Sequence, residues 1–177
     1  MNVRRLMKSI PSCLVVLFLA LCLIHLAGAR INTTKSIPIG LYWATCAKPS
    51  KGSYVMFCPP PERAAFDVAK DRGYITAGPC PGGYGYMMKR ILAVKGDAVR
   101  SCEQGVFING ALLALSKPLS SDLSGRALPQ YRTDNHTLAA DEVLLMSDVS
   151  ATSFDGRYFG PVPVAQIRSV IKPVFIW

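Results

Sequence analysis

The chain has 177 residues, 20 of them Lys or Arg against 11 Asp or Glu, for a formal net charge of +9. Four basic residues and no acid lie at or before Arg30, so the stretch from Ile31 to Trp177 carries only +5. That excess suits the face of an anionic bilayer, and it includes no basic run with interleaved aromatics, which argues against nucleic-acid binding.

The first predicted element is a leader over residues 1–30. Arg4, Arg5 and Lys8 precede an apolar stretch from Cys13 to Ala29 that only His25 interrupts. This is the pattern of a signal peptide or a short membrane anchor, and Ala27-Gly28-Ala29 offers a small-residue cleavage site. In either case the basic end stays cytoplasmic and residues 31–177 are exported, into the periplasm or onto the outer side of the inner membrane. The exported part has the size of one domain with its own core.

Immediately after the leader runs Thr33-Thr34-Lys35-Ser36-Ile37-Pro38-Ile39-Gly40. Pro38 biases Ile37 toward extended backbone and Gly40 permits a bend, so Ser36 sits in a stiff turn close to the leader. Strands are expected over Gly40–Ala44 and Tyr54–Cys58, then a helix from Arg63 that Gly73 can end. Cys46, Cys58, Cys80 and Cys102 allow two disulfides with three connectivities. The Pro-rich segment after Cys58 and the Gly-rich segment around Cys80 read as two ends of one excursion, which favours Cys58 with Cys80. With no CxxC present, a zinc site is not expected.

The next strand, Tyr86–Val94, carries Lys89. Alternation places Met87, Lys89, Ile91 and Ala93 on one face, and a lysine among such neighbours loses hydration of its ammonium form. Its pKa falls and the amine becomes a candidate general base, unless the side chain snorkels to water. Further strands are expected at Ala98–Ser101, Gly105–Ile108, Val143–Met146 and Ile167–Ile176, with turns at Lys95-Gly96-Asp97 and Asn109-Gly110. The polar segment 116–135, with two prolines, reads as a surface insertion. His136 follows it, in what looks like a loop, and is a weak partner for a Ser-His-Asp triad.

Before the last strand stands Ser153-Phe154-Asp155-Gly156-Arg157-Tyr158-Phe159-Gly160. Asp155 and Arg157 make either a surface ion pair worth about 0–1 kcal/mol or a group that orients the Lys89 amine by hydrogen bonds.

Taken in order, the apolar leader, the Ser-x-Pro box at Ser36, the Lys89 strand with Lys95-Gly96-Asp97, and the Ser-x-Asp-x-Arg box resemble the type I signal peptidase superfamily (serine peptidase family S26). The TraF-type conjugative transfer peptidases are the closest branch in pattern. The resemblance implies a mainly β, signal-peptidase-like barrel-type catalytic domain behind an N-terminal apolar helix. It implies Ser36 as nucleophile and Lys89 as base, with Asp155 in support and no metal or organic cofactor. Thr34, two residues before the serine, would assist the oxyanion hole. Ile39-Gly40 stands where signal peptidases usually carry a threonine, and a single leader replaces two spans; both features favour the TraF branch. The implied substrate is a membrane-associated pilin precursor of a conjugative transfer apparatus, cut by hydrolysis or cyclised by acyl transfer. A structural subunit of that apparatus and a general preprotein peptidase are the alternatives; a LexA-like self-cleaving regulator is at odds with the leader.

Overall fold

The structure, a computed structural model, describes residues 3–177, with side chains from Cys13 onward. The basic side chains of Arg4, Arg5 and Lys8 lie outside the described residues. The apolar leader forms helix α1 (Val3–Leu26), and Leu14, Phe18, Leu23 and their neighbours are exposed. Arg30 donates from Nη1 to the His25 carbonyl at the helix end, which also accepts from the Gly28 N–H. Among the described residues no helix is long and apolar enough to cross a membrane.

Strands β1 (Ala29–Asn32), β2 (Gly40–Thr45) and β3 (Tyr54–Phe57) lead to helix α2 (Ala64–Asp71). Then come β4 (Ala77–Cys80), β5 (Met87–Ala93), β6 (Ala98–Cys102), β7 (Gly105–Ile108), β8 (Ala111–Leu112), β9 (Thr133–Thr137) and β10 (Glu142–Met146). The short helix α3 (Gly156–Phe159), β11 (Val162–Pro163) and β12 (Ile167–Ile176) complete the chain. Two antiparallel sheets result, one in the order β1-β2-β12-β3-β5-β10-β11 and one in the order β8-β7-β6-β9. Register shifts in β10, β12 and β6 bend these sheets, as bulges do. The fold is mainly β, as the alternating segments indicate.

Local signals are realised closely. Asn109 and Gly110 both take positive φ (52° and 84°) and join β7 to β8, the geometry a two-residue hairpin needs. Gly73 takes φ +74° just past α2, and its N–H donates to the Lys70 carbonyl. The sequence does not announce β9, because Thr133-Asp-Asn-His-Thr137 has no apolar face. Pairing with β6 on one side makes it an edge strand, so His136 lies on a strand and the polar insertion is strand from Thr133 onward. The Ala-Gly-Pro-Cys run of β4 is equally silent.

The main core gathers Phe57, Phe66, Tyr84, Phe154, Tyr158 and Phe159 around the junction of α2, α3 and the large sheet. Its covalent tie is the buried Cys58–Cys80 disulfide, while Cys46 and Cys102 are free. The bridge spans a sequence separation of 22 residues that includes α2. Closing a loop of that size restricts the unfolded chain by about 3 kcal/mol. The Cys58→Ala/Cys80→Ala protein is therefore expected to unfold at lower urea, by that amount on linear extrapolation, and an unchanged midpoint would show the bridge to be dispensable.

Candidate active site

Lys89 lies on β5, whose burial alternates strictly along Met87–Ala93 with Met87, Lys89, Ile91 and Ala93 inward. Antiparallel pairing sets Lys89 opposite Val55 of β3, and only 2% of its surface is exposed. Ser36 lies on the turn between β1 and β2, whose ends are brought together by the pairing of Asn32 with Gly40. Gly40 is required there: a Cβ would stand 2.3 Å from the Phe175 carbonyl oxygen of β12. The turn delivers the serine to the lysine. Lys89 Nζ donates to Ser36 Oγ at 2.6 Å and to Ser153 Oγ at 3.0 Å.

Burial lowers the Lys89 pKa from 10.5 to about 8, since an ammonium there has lost most of its water. Asp155 opposes that shift and Arg157 reinforces it, so the two nearby charges act in opposite directions on the amine. Asp155 and Arg157 are themselves fully buried. Arg157 Nε donates to Asp155 Oδ1 at 2.8 Å and Nη2 to Oδ2 at 2.9 Å, while Ser147 N–H donates to Oδ2 at 3.0 Å. The guanidinium also reaches the carbonyls of Ala151, at 2.7 Å, and Ser150, at 3.4 Å. It thus fastens the loop that presents Ser153.

Ser36, Lys89 and Ser153 open on a cleft of about 680 Å³. Tyr74, Phe154 and Tyr158 give it an aromatic side, and Leu119, Asp122 and Leu128 of the insertion supply another wall. The insertion is docked, since Tyr74 Oη donates to Asp122 and Arg72 donates to the Ala127 carbonyl. Among the described residues no group of three or more His, Cys, Asp or Glu side chains is gathered to hold a metal ion.

Residues 3–177 match the family model described as signal peptidase, peptidase S26. The chain belongs to the S26 signal peptidase family. It is 56% identical over 177 residues to a plasmid transfer protein TraF of Escherichia coli, covering 98% of this chain and 99% of that one. A conjugal transfer protein TraF of Agrobacterium fabrum is 31% identical over 151 residues, covering 85% of this chain and 84% of that one. Among solved structures, a signal peptidase I from Enterococcus faecalis overlaps 72% of this chain and all of its own, with a TM-score of 0.42 and 20% identity.

Within this S26 chain the structure unites Ser36 and Lys89, and it revises the surroundings expected for them. Asp155 and Arg157 are a buried pair rather than a surface one, and Asp155 makes no hydrogen bond to the amine. Its oxygens are taken by Arg157 and Ser147, and it caps α3 by accepting from the Arg157 N–H. Ser153, two residues earlier, holds the amine instead. Its signal in the sequence was a small hydroxyl beside a buried charged pair, legible only once that burial is known. Thr34 lies at the exposed lip of the cleft and donates from Oγ1 to Asn32 Oδ1 at 3.0 Å. The insertion is a cleft wall and not mere surface. His136 pairs with Glu142 at 2.8 Å on the edge of the other sheet, which leaves a Ser-His-Asp triad without support.

Proposed function

We propose that this protein is a serine endopeptidase with a Ser36/Lys89 dyad that matures a membrane-associated pilin precursor for conjugative DNA transfer. The observation that carries the reading is a desolvated amine 2.6 Å from a hydroxyl at the foot of an open cleft. Neutral Lys89, still donating to Ser153, takes the proton of Ser36 as its oxygen attacks the scissile carbonyl. On this reading the Ser36 N–H donates to the oxyanion, joined by the Thr34 hydroxyl once it turns from Asn32. Collapse passes the proton from Lys89 to the leaving amine and leaves an acyl-enzyme. Water then releases an acid, or an α-amine of the same substrate closes a ring with no net loss of a peptide bond. The relatives' names, plasmid and conjugal transfer proteins, support the conjugative setting.

Mass spectrometry of the pilin from cells with and without an active copy tests this. The expected product is trimmed, and a mass one water below the trimmed linear peptide reports cyclisation. A pilin of precursor mass in both strains would remove the substrate assignment.

The same reading keeps the leader attached as an anchor facing the periplasm. Ala29 is the first residue of β1, paired with Trp43, and the Gly28 carbonyl accepts from the Ala44 N–H at 2.8 Å. Cleavage after Ala29 would cut into a formed strand beside the nucleophile turn. Intact-mass measurement of the membrane-fraction protein is expected to return the full chain; a chain starting at Arg30 would refute retention.

A further inference from the structure

The Ser36 turn has an internal support in Asn32. This residue is only 4% exposed at the end of β1, and the turn from Thr33 to Ile39 wraps around it. Its Nδ2 donates to the carbonyls of Thr34 at 2.7 Å, Ile37 at 2.9 Å and Pro38 at 3.0 Å. Its Oδ1 accepts from the Thr34 N–H at 3.3 Å and the Thr34 hydroxyl at 3.0 Å. One carboxamide thus grips the turn on both sides of Ser36. The other ties lie at the far end, where Tyr42 Oη donates to the Pro38 carbonyl at 2.6 Å and Trp177 N–H to the Ile39 carbonyl at 3.1 Å.

An asparagine suits this task because it alone among side chains of its length offers two N–H donors and an acceptor at once. Aspartate would set a carboxylate against three carbonyl oxygens. An apolar side chain of the same shape would strand those carbonyls and free the turn.

We propose that Asn32 is the positioning residue of the nucleophile: its carboxamide sets the Thr33–Pro38 turn so that Ser36 Oγ lies within hydrogen-bond reach of Lys89 Nζ. The proposal rests on the Ser36/Lys89 reading. Asn32 touches neither reacting atom, so its effect falls on the step in which the serine oxygen attacks. A shift of about 1 Å at such an oxygen is worth roughly 100-fold in rate. Through Oδ1 the same residue also sets where the Thr34 hydroxyl waits before substrate arrives.

The test uses the full chain in membranes and the pilin precursor as substrate, with cleavage followed in single turnover across pH and thermal unfolding recorded in parallel. Asn32→Leu is expected to lower the rate at saturation about 100-fold, to leave KM within about threefold, and to leave the pH midpoint unmoved, since Lys89 keeps its burial. Folded Asn32→Leu protein with a rate within about threefold of the native one would overturn the proposal. So would a loss expressed in KM or in a displaced pH midpoint, because the residue would then shape the cleft or the base. If Asn32→Leu does not fold, Asn32→Ser is judged by the same readouts. Ser36→Ala separates the two levels of argument: if that variant still cleaves, the dyad itself is wrong, whereas an inactive Ser36→Ala beside a fully active Asn32→Leu removes only the role of Asn32.

Discussion

Lys89→Met is expected to slow precursor cleavage by about 1,000-fold or more while making the folded protein more stable at neutral pH. Methionine keeps the unbranched shape that fills the space between β3 and the Ser153 loop, and it removes the basic atom that reaches Ser36. Positioned general bases contribute about 100- to 10,000-fold, and among the described residues no histidine or carboxylate hydrogen-bonds Ser36 to replace the amine. Ser36→Ala should fail to the same extent. The two changes together should cost no more than either alone if the residues form the proposed dyad.

The pH dependence has a definite sign. With a folded-state pKa of about 8, roughly one lysine in ten is neutral at pH 7, so kcat/KM should rise with pH through a midpoint near 8 and then level off. Stability follows from the same shift. Below pH 8 both the folded and unfolded states hold the proton, and the cost of the buried ammonium is fully present. Between about 8 and 10.5 the folded protein has released a proton that the unfolded chain still binds, so stability rises with pH, by about 3 kcal/mol in total. Lys89→Met lacks this term. Its advantage over the native protein in denaturant should therefore be largest below pH 8 and smaller by that amount above 10.5. A native-like cleavage rate in the variant, or a flat difference in stability with pH, would show that position 89 is not a desolvated base.

What could be read from the sequence was local. Period-two alternation settles which way Lys89 points, because Met87, Ile91 and Ala93 must go inward with it, and Asn109-Gly110 and Gly73 declare positions where backbone φ turns positive. Cys58 and Cys80 were legible as the ends of one excursion. The Ser36 turn could be placed from Pro38 and Gly40, though not its contents: that Asn32 lies beneath it depends on the register of β1 against β2, which begins within the supposed cleavage site. Burial of Asp155 and Arg157 was hidden for a similar reason. Two charged residues in a glycine-rich box leave a surface pair and a partner of the Lys89 amine equally open until α3 is seen packed on β10, where a Cβ at Gly156 would meet Leu144 Cδ1 at 2.7 Å. The strand β9 and the docked insertion depend wholly on partners distant in the chain.

That buried pair yields the second large effect. Arg157→Met and Asp155→Asn are each expected to destabilise the protein by about 3–5 kcal/mol, since each leaves its partner charged, desolvated and without its counter-charge. The losses differ in what they do to the base. Asp155 holds the Lys89 pKa up and Arg157 holds it down, so Arg157→Met should move the midpoint of the rate profile above 8 and Asp155→Asn should move it below. The double variant, with no charge left to strand, should lose less stability than the two single losses added together and should return the midpoint toward its native place. Urea titrations of the three variants, paired with their pH–rate profiles, separate this from a merely structural role. Simple additivity of the losses, or midpoints that move the same way in both single variants, would mean that the pair does not set the electrostatic level at Lys89, and that the depressed basicity of the amine comes from burial alone.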